Sequence, residues 1–159
     1  MNRQNERKLA DRFPAFWHKL YGKHEETCMA YGFTCGDGWF PLIWNLCLAI
    51  EEELKRNPTE GFIVKQVKEK FETLRFYVDN SSDAIDSLIA KAEEDSWTTC
   101  EVCGAKTDTA PAPDSCVLVR CKDHRDNLQI IRNSGLKEFT GAYEQVLSRH
   151  DSLFRRLSQ

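Results

Sequence analysis

The chain has 159 residues, 41% hydrophobic and 30% charged, with four Trp and nine Phe, enough for one globular domain or one domain with a small appendage. Its formal net charge of −3 argues against a protein whose main task is to coat nucleic acid, and no apolar run approaches the roughly 20 residues of a membrane helix. Seven cysteines, an odd number, fit metal ligation by three and free thiols for the rest better than a disulfide framework.

The segment Met1 to Arg12 is polar and charged and lacks the apolar stretch of a secretory leader, so none is expected and the compartment reads as the cytosol. Charge is unevenly spread. Residues 1–23 carry six Lys/Arg against two acids, residues 79–108 two against eight, and residues 120–159 eight against five. A solvated surface of mixed sign is the favoured reading of this pattern over a basic binding face.

Phe13 to Gly22 reads as a short helix, with Pro14 in its first turn and Gly22 as its stop. Phe13, Phe16, Trp17 and Leu20 then share one face, and such a stripe is more often core than contact surface. The stretch from Glu26 to Phe40 is rich in Gly and aromatics without a clear period. Within it Gly36-Asp37-Gly38 is a turn, and Asp37 is expected to cap the next helix rather than to form a site. Cys28 and Cys35 near His24 have irregular spacing and read as small buried hydrophobes rather than a second metal site.

From Trp39 to Arg56 the period is helical: Phe40, Ile43, Trp44, Cys47, Ile50 and Leu54 recur at three- and four-residue steps, and Asn57-Pro58 ends the run. This is the expected central helix, with Cys47 in the core. Phe62 to Val78 reads as a hairpin turning near Glu72-Thr73, although that turn lacks the usual Gly or Asn. Its lysines, Lys65, Lys68 and Lys70, with Arg75, read first as edge protection and only secondarily as phosphate contacts. Ala84 to Ser96 is a helix on Ile85, Leu88, Ile89 and Ala92, after a cap in Asp79 to Asp83. It runs without a linker into Trp97 and the segment that carries the chemistry.

That segment is Cys100-Glu101-Val102-Cys103-Gly104, answered by Cys121 and His124. A Cys-x-x-Cys turn brings two sulfurs to one point, and Gly104 supplies the positive φ by which the backbone turns back. Cys121-x-x-His124 completes three cysteines and one histidine, the donor set of a structural zinc site. Cys116, five residues before Cys121, is the competing fourth ligand. Between the pairs, Ala110 to Asp114 reads as a loop and Cys116 to Arg120 as a short strand. After His124 the chain turns helical, and a last helix carries Tyr143, Val146, Leu147, Phe154 and Leu157 in one stripe. His18 and His150 have no acidic or Cys partner at ligand spacing and read as surface or packing residues.

The segments Glu26-Thr-Cys-Met-Ala-Tyr-Gly-Phe, Cys35-Gly-Asp-Gly-Trp-Phe, Val67-Lys-Glu-Lys-Phe, Leu74-Arg-Phe-Tyr-Val and Ser96-Trp-Thr-Thr-Cys-Glu-Val-Cys-Gly resemble, in this order, a family of small uncharacterised proteins of tailed bacteriophages, prophages and some bacterial genomes. The resemblance covers roughly residues 20–125. Glu72 departs from it, since the family pattern has Gly there, and the tail after about residue 126 lies outside it. The resemblance implies a phage accessory protein acting in the bacterial host cytoplasm on host or defence machinery, with the zinc knuckles as part of the common design.

The expected fold is α+β: helices packed on a small antiparallel sheet, with a zinc ribbon and a C-terminal helical tail. Its parts are a core over 1–97, a ribbon over 98–126 and an extension over 127–159. The expected function is non-enzymatic binding of a host or defence protein, with structural zinc on Cys100, Cys103, Cys121 and His124 and contacts from Trp39, Trp97, Tyr143 and Phe154. The alternative is a nucleic-acid-binding zinc-ribbon protein using Lys65, Lys68, Lys70, Arg75, Arg120 and Arg125. A third reading, an HNH-like nuclease with His124 as base and Asp123 orienting it, lacks the second Cys-x-x-Cys frame and competes with zinc for His124.

Overall fold

The computed structural model describes residues 1–25, 27–107 and 120–124. The chain divides into two compact units, Met1–Cys121 and Lys122–Gln159. Of the second, 122–124 are described and are helical.

In the first unit, helix α1 spans Arg3–Arg12, where the sequence shows little apolar period. It forms because Asn2 caps it, its side chain accepting from the Asn5 amide at 2.9 Å. Distant partners then hold it in place. Glu6 is buried, its Oε1 accepting from the Phe33 amide at 3.0 Å and its Oε2 from the Tyr21 hydroxyl. Leu9 is fully buried beside it.

The helix expected over 13–22 is absent. The chain makes successive tight turns instead, with Phe16 N donating to Phe13 O at 3.0 Å and Leu20 N to Trp17 O at 2.8 Å. Pro14 biases Phe13 away from helical angles, and Tyr21, at φ 59, ends the segment in the left-handed region. The aromatic stripe is nevertheless core, as expected. Phe13 meets Trp44 edge-on at 5.4 Å, Phe16 meets Phe62 at 5.2 Å, and Trp17 lies between Phe33 at 4.8 Å and Phe76 at 6.0 Å.

Helix α2, Phe40–Arg56, is the central helix, with Pro at its start and Ile43, Leu46, Cys47 and Ile50 buried. Helix α3, Asp83–Ser96, is capped by Ser82 and buries Ile85, Ile89, Ala92 and Ser96. Strands β1, Ile63–Lys70, and β2, Thr73–Asp79, pair antiparallel with a bulge between Val64 and Gln66. Val67 faces Phe76 on the buried side, while Lys68 faces Arg75 on the other. Among the described residues this is a two-stranded sheet.

The turn between the strands is Phe71-Glu72, at φ 53 and φ 66. Both residues are left-handed, as a type I′ hairpin turn requires, yet neither is Gly or Asn. An L-residue with a side chain costs about 1–2 kcal/mol in that region. Phe71 gains no burial in return, since it is 79% exposed.

Both hairpin edges are covered over part of their length. On the β2 side, α3 receives the Leu74 amide on Ser96 Oγ at 2.9 Å and the Phe76 amide on Glu93 Oε1 at 3.1 Å. On the β1 side, Thr34 donates to Val67 O at 3.1 Å and accepts from Glu69 N at 3.0 Å. These contacts do the edge protection that the sequence assigned to lysines.

Candidate metal centre

Helix α3 delivers the first cysteine pair directly. Trp97 is its C-cap, the Thr99 amide donates back to Ser96 O at 3.1 Å, and the Thr99 hydroxyl donates to Asp95 O at 2.7 Å. The knuckle then closes on itself. Cys100 N donates to Ala105 O and Gly104 N to Cys100 O, both at 2.8 Å, and Gly104 takes φ 77. The positive φ expected at Gly104 is present.

The donor atoms of Cys100, Cys103, Cys121 and His124 all lie within 4.8 Å of one another. Cys103 Sγ and Cys121 Sγ are 3.7 Å apart. Cys100 is fully buried, Cys103 is exposed, and Cys121 and His124 are of intermediate exposure. Burial pushes the Cys100 thiol up, but amide donors from Cys121, Cys103 and Val102 outweigh it and hold the pKa down at about 6. At Cys103 the Ala105 amide favours the thiolate, while desolvation and the neighbouring sulfurs of Cys100 and Cys121 outweigh it and raise the pKa. Thiolates packed this closely repel one another, and a shared cation relieves that repulsion. The arrangement is a set of donors for a metal ion.

The knuckle is seated in the Gly-rich segment before α2, a relationship the sequence did not reveal. Gly36 N donates to Glu101 Oε1 at 2.7 Å, Gly38 N to Glu101 O at 2.7 Å, and Trp39 Nε1 to Thr99 O at 2.8 Å. A Cβ on Gly36 would strike the Glu101 backbone. One on Gly38 would strike Cys100 O, Gly104 N and Cys103 N. These glycines allow close approach of two backbones. Burial pushes the Glu101 carboxyl above its ordinary range, against the pull of the Gly36 amide.

Two expectations are corrected here. Trp39 is fully buried, so it anchors the knuckle and is not a partner contact. Asp37 does not cap α2; its Oδ1 accepts from Asn2 N at 2.8 Å and Asn5 Nδ2 at 3.2 Å, tying α1 to this segment. Those bonds, the Asn2 amide foremost, lower its pKa.

The remaining candidates are dispersed. Trp97 is 48% exposed. Lys65 pairs with Asp79 at 3.2 Å and Arg75 with Glu93 at 3.1 Å. Lys68 and Lys70 lie over the rings of Tyr77 and Phe71. Arg120 is half-buried and close enough to Glu101 to oppose, in part, the rise that burial causes in its pKa. Arg125, Tyr143 and Phe154, with Cys116, His150 and the last helix, lie outside the described residues. Cys35 and Cys47 are buried, as expected, but Cys28 is exposed, and among the described residues no second ligand cluster includes it. His18 is exposed, its Nδ1 3.3 Å from Ala15 O.

A shallow groove of about 250 Å³ is lined by Ala15, Phe16, Leu54, Pro58, Thr59, Gly61 and Phe62, with no ionisable side chain. Among the described residues no helix is long and apolar enough to cross a membrane. No family model, curated protein or solved structure matches the chain.

Proposed function

We propose that the chain is a zinc-stapled binding module without catalytic activity of its own, a phage accessory protein that engages a host or defence protein in the bacterial cytoplasm. The convergence of three thiols and one imidazole within 4.8 Å carries the zinc assignment. Zinc is the usual occupant of a Cys₃His set, and tetrahedral bonds of about 2.3 Å place sulfurs roughly 3.8 Å apart, close to the 3.7 Å between Cys103 and Cys121. Four protein donors fill a tetrahedral ion and leave no open position for a substrate or water. That favours a structural role for His124 over a nuclease base.

The phage assignment rests on the resemblance of the quoted segments, and the choice of a protein partner on the net charge of −3. Trp97 and Val102, exposed on either side of Cys100 in sequence, supply apolar contact area beside the knuckle.

Elemental analysis of protein purified without a metal-affinity tag tests the reading. About one zinc per chain is expected, and stripping it with a strong chelator should undo the knuckle and move Trp39 into water, with a red shift of its fluorescence. A folded protein that never binds zinc would overturn the assignment. So would plasmid turnover with added Mg²⁺ or Mn²⁺ that disappears in a folded His124→Ala variant, since His124 would then be a base. Partner binding is tested by affinity capture from infected bacteria, with Trp97→Ala as the specificity control.

A further inference from the structure

We infer that the outer face and tip of the β1–β2 hairpin form a binding site for single-stranded nucleic acid, with Phe71 and Tyr77 as stacking platforms and Lys68 and Lys70 as phosphate contacts. This surface and partner class are separate from the protein contact proposed above, so either proposal can fail without the other.

Three observations converge on this face. The first is the aromatic pair. Phe71 is 79% and Tyr77 41% exposed, although the core nearby takes in Phe16, Phe33 and Phe76. The second is charge. Of the four cations on the hairpin, Lys65 and Arg75 are matched by Asp79 and Glu93, whereas among the described residues Lys68 and Lys70 meet no carboxylate. Their ammonium groups lie 5.4 Å from the Tyr77 centroid and 5.1 Å from the Phe71 centroid. Each exposed ring thus comes with its own cation, as each base of a nucleotide strand comes with its own phosphate. Lys68 and Lys70 are two residues apart on one face, so roughly 7 Å separates them along the strand.

The third observation is backbone strain. The left-handed Phe71 and Glu72 hold an apolar ring in water at the hairpin tip. Strain without packing return points to use rather than to folding. A ring face can stack only on an unpaired base, which selects single strands over duplex. The acidic net charge limits contact to this local patch, so binding should be short-range and its salt dependence shallow.

The test is fluorescence anisotropy of the full-length, zinc-loaded protein with labelled 12-mer single-stranded DNA, the RNA equivalent and the matching duplex, from about 50 mM salt upward. Single strands should bind better than duplex, with a log–log salt slope of about −1.4 for two phosphate contacts. Phe71→Ala and Tyr77→Ala should each weaken binding about 5- to 150-fold. Phe71→Tyr, which keeps a stacking ring, should retain most of it. Lys68→Gln with Lys70→Gln should flatten the salt slope.

Absence of single-strand binding at low salt by the folded wild type overturns the inference. So does unchanged affinity in Phe71→Ala and Tyr77→Ala, a preference for duplex, or equal binding of a labelled poly-glutamate peptide, which would assign the face to acidic protein. Circular dichroism of each variant separates lost binding from lost fold.

Discussion

The backbone amide of Gly38 donates a 2.7 Å hydrogen bond to the carbonyl oxygen of Glu101, joining the turn before α2 to the loop that carries two of the four metal donors. The contact is backbone to backbone, and a Cβ on Gly38 would fall on Cys100 O, Gly104 N and Cys103 N, none of which can swing aside as a flexible side chain would. Gly38→Ala is therefore expected to cost about 1–3 kcal/mol and, at the proposed zinc site, to weaken metal binding at least tenfold, measured by competition with a chromophoric chelator. Gly22→Ala is the control. Its Cβ would meet Lys19 O and Thr27 Cγ2 at 3.1 Å and no part of the cysteine knuckle, so metal affinity should not change.

Ser96 is fully buried, and its hydroxyl both accepts from Leu74 N and donates to Glu93 O at 2.5 Å. Ser96→Ala strands the Leu74 amide at the strand edge, and a buried unpaired donor costs about 1–3 kcal/mol. A fall in the urea midpoint is expected. Ser87→Ala, on the exposed side of the same helix, should change stability by less than about 0.5 kcal/mol.

Arg12 grips Glu51 with two 2.8 Å hydrogen bonds between α1 and α2. The Arg12 guanidinium, aided by Lys55 and opposed by slight burial, lowers the Glu51 pKa to about 2. A depressed carboxylate pKa stabilises the fold above the unfolded value of about 4.3, and that stabilisation is lost as pH falls toward about 2. Wild type should therefore be more stable than Glu51→Gln at pH 7, and the gap in urea midpoint should close progressively below about pH 4.5. High salt should narrow it as well, because both side chains are partly in water.

Phe71 offers the opposite sign. Phe71→Asn places a residue tolerant of left-handed angles in the turn and loses no buried contact, so stability should rise by roughly 0.5–1 kcal/mol. For a chain of this size that is a rise of about 1–4 °C in Tm. The same substitution removes the stacking ring, so stabilisation and loss of oligonucleotide binding should appear together. A variant that is less stable than wild type would show that the ring is held by contacts within the protein.

Features encoded over short range were legible in the sequence. The ligand pairs declare themselves because each turn of four residues does its own geometry, and α2 and α3 because their apolar positions repeat. The hairpin was placed within a residue or two, although its turn residues carry no turn chemistry. What could not be read depended on distant partners. Helix α1 shows little apolar stripe because much of its anchoring is polar, through Glu6 to Phe33 and Asn2 to Asp37. Trp39 was expected among the partner contacts, beside the turn at Gly36-Asp37-Gly38. Those glycines instead admit the knuckle, and a close approach between segments some 60 residues apart leaves no local pattern.

Thr34 on one side of the hairpin and α3 on the other also decide how anything can approach it. Where these contacts fall, a partner peptide cannot add itself as a further strand, because Val67 O and Glu69 N on one flank and Leu74 N and Phe76 N on the other already have partners. Approach to those positions is left to the open face and the tip of the hairpin, where side chains do the recognising.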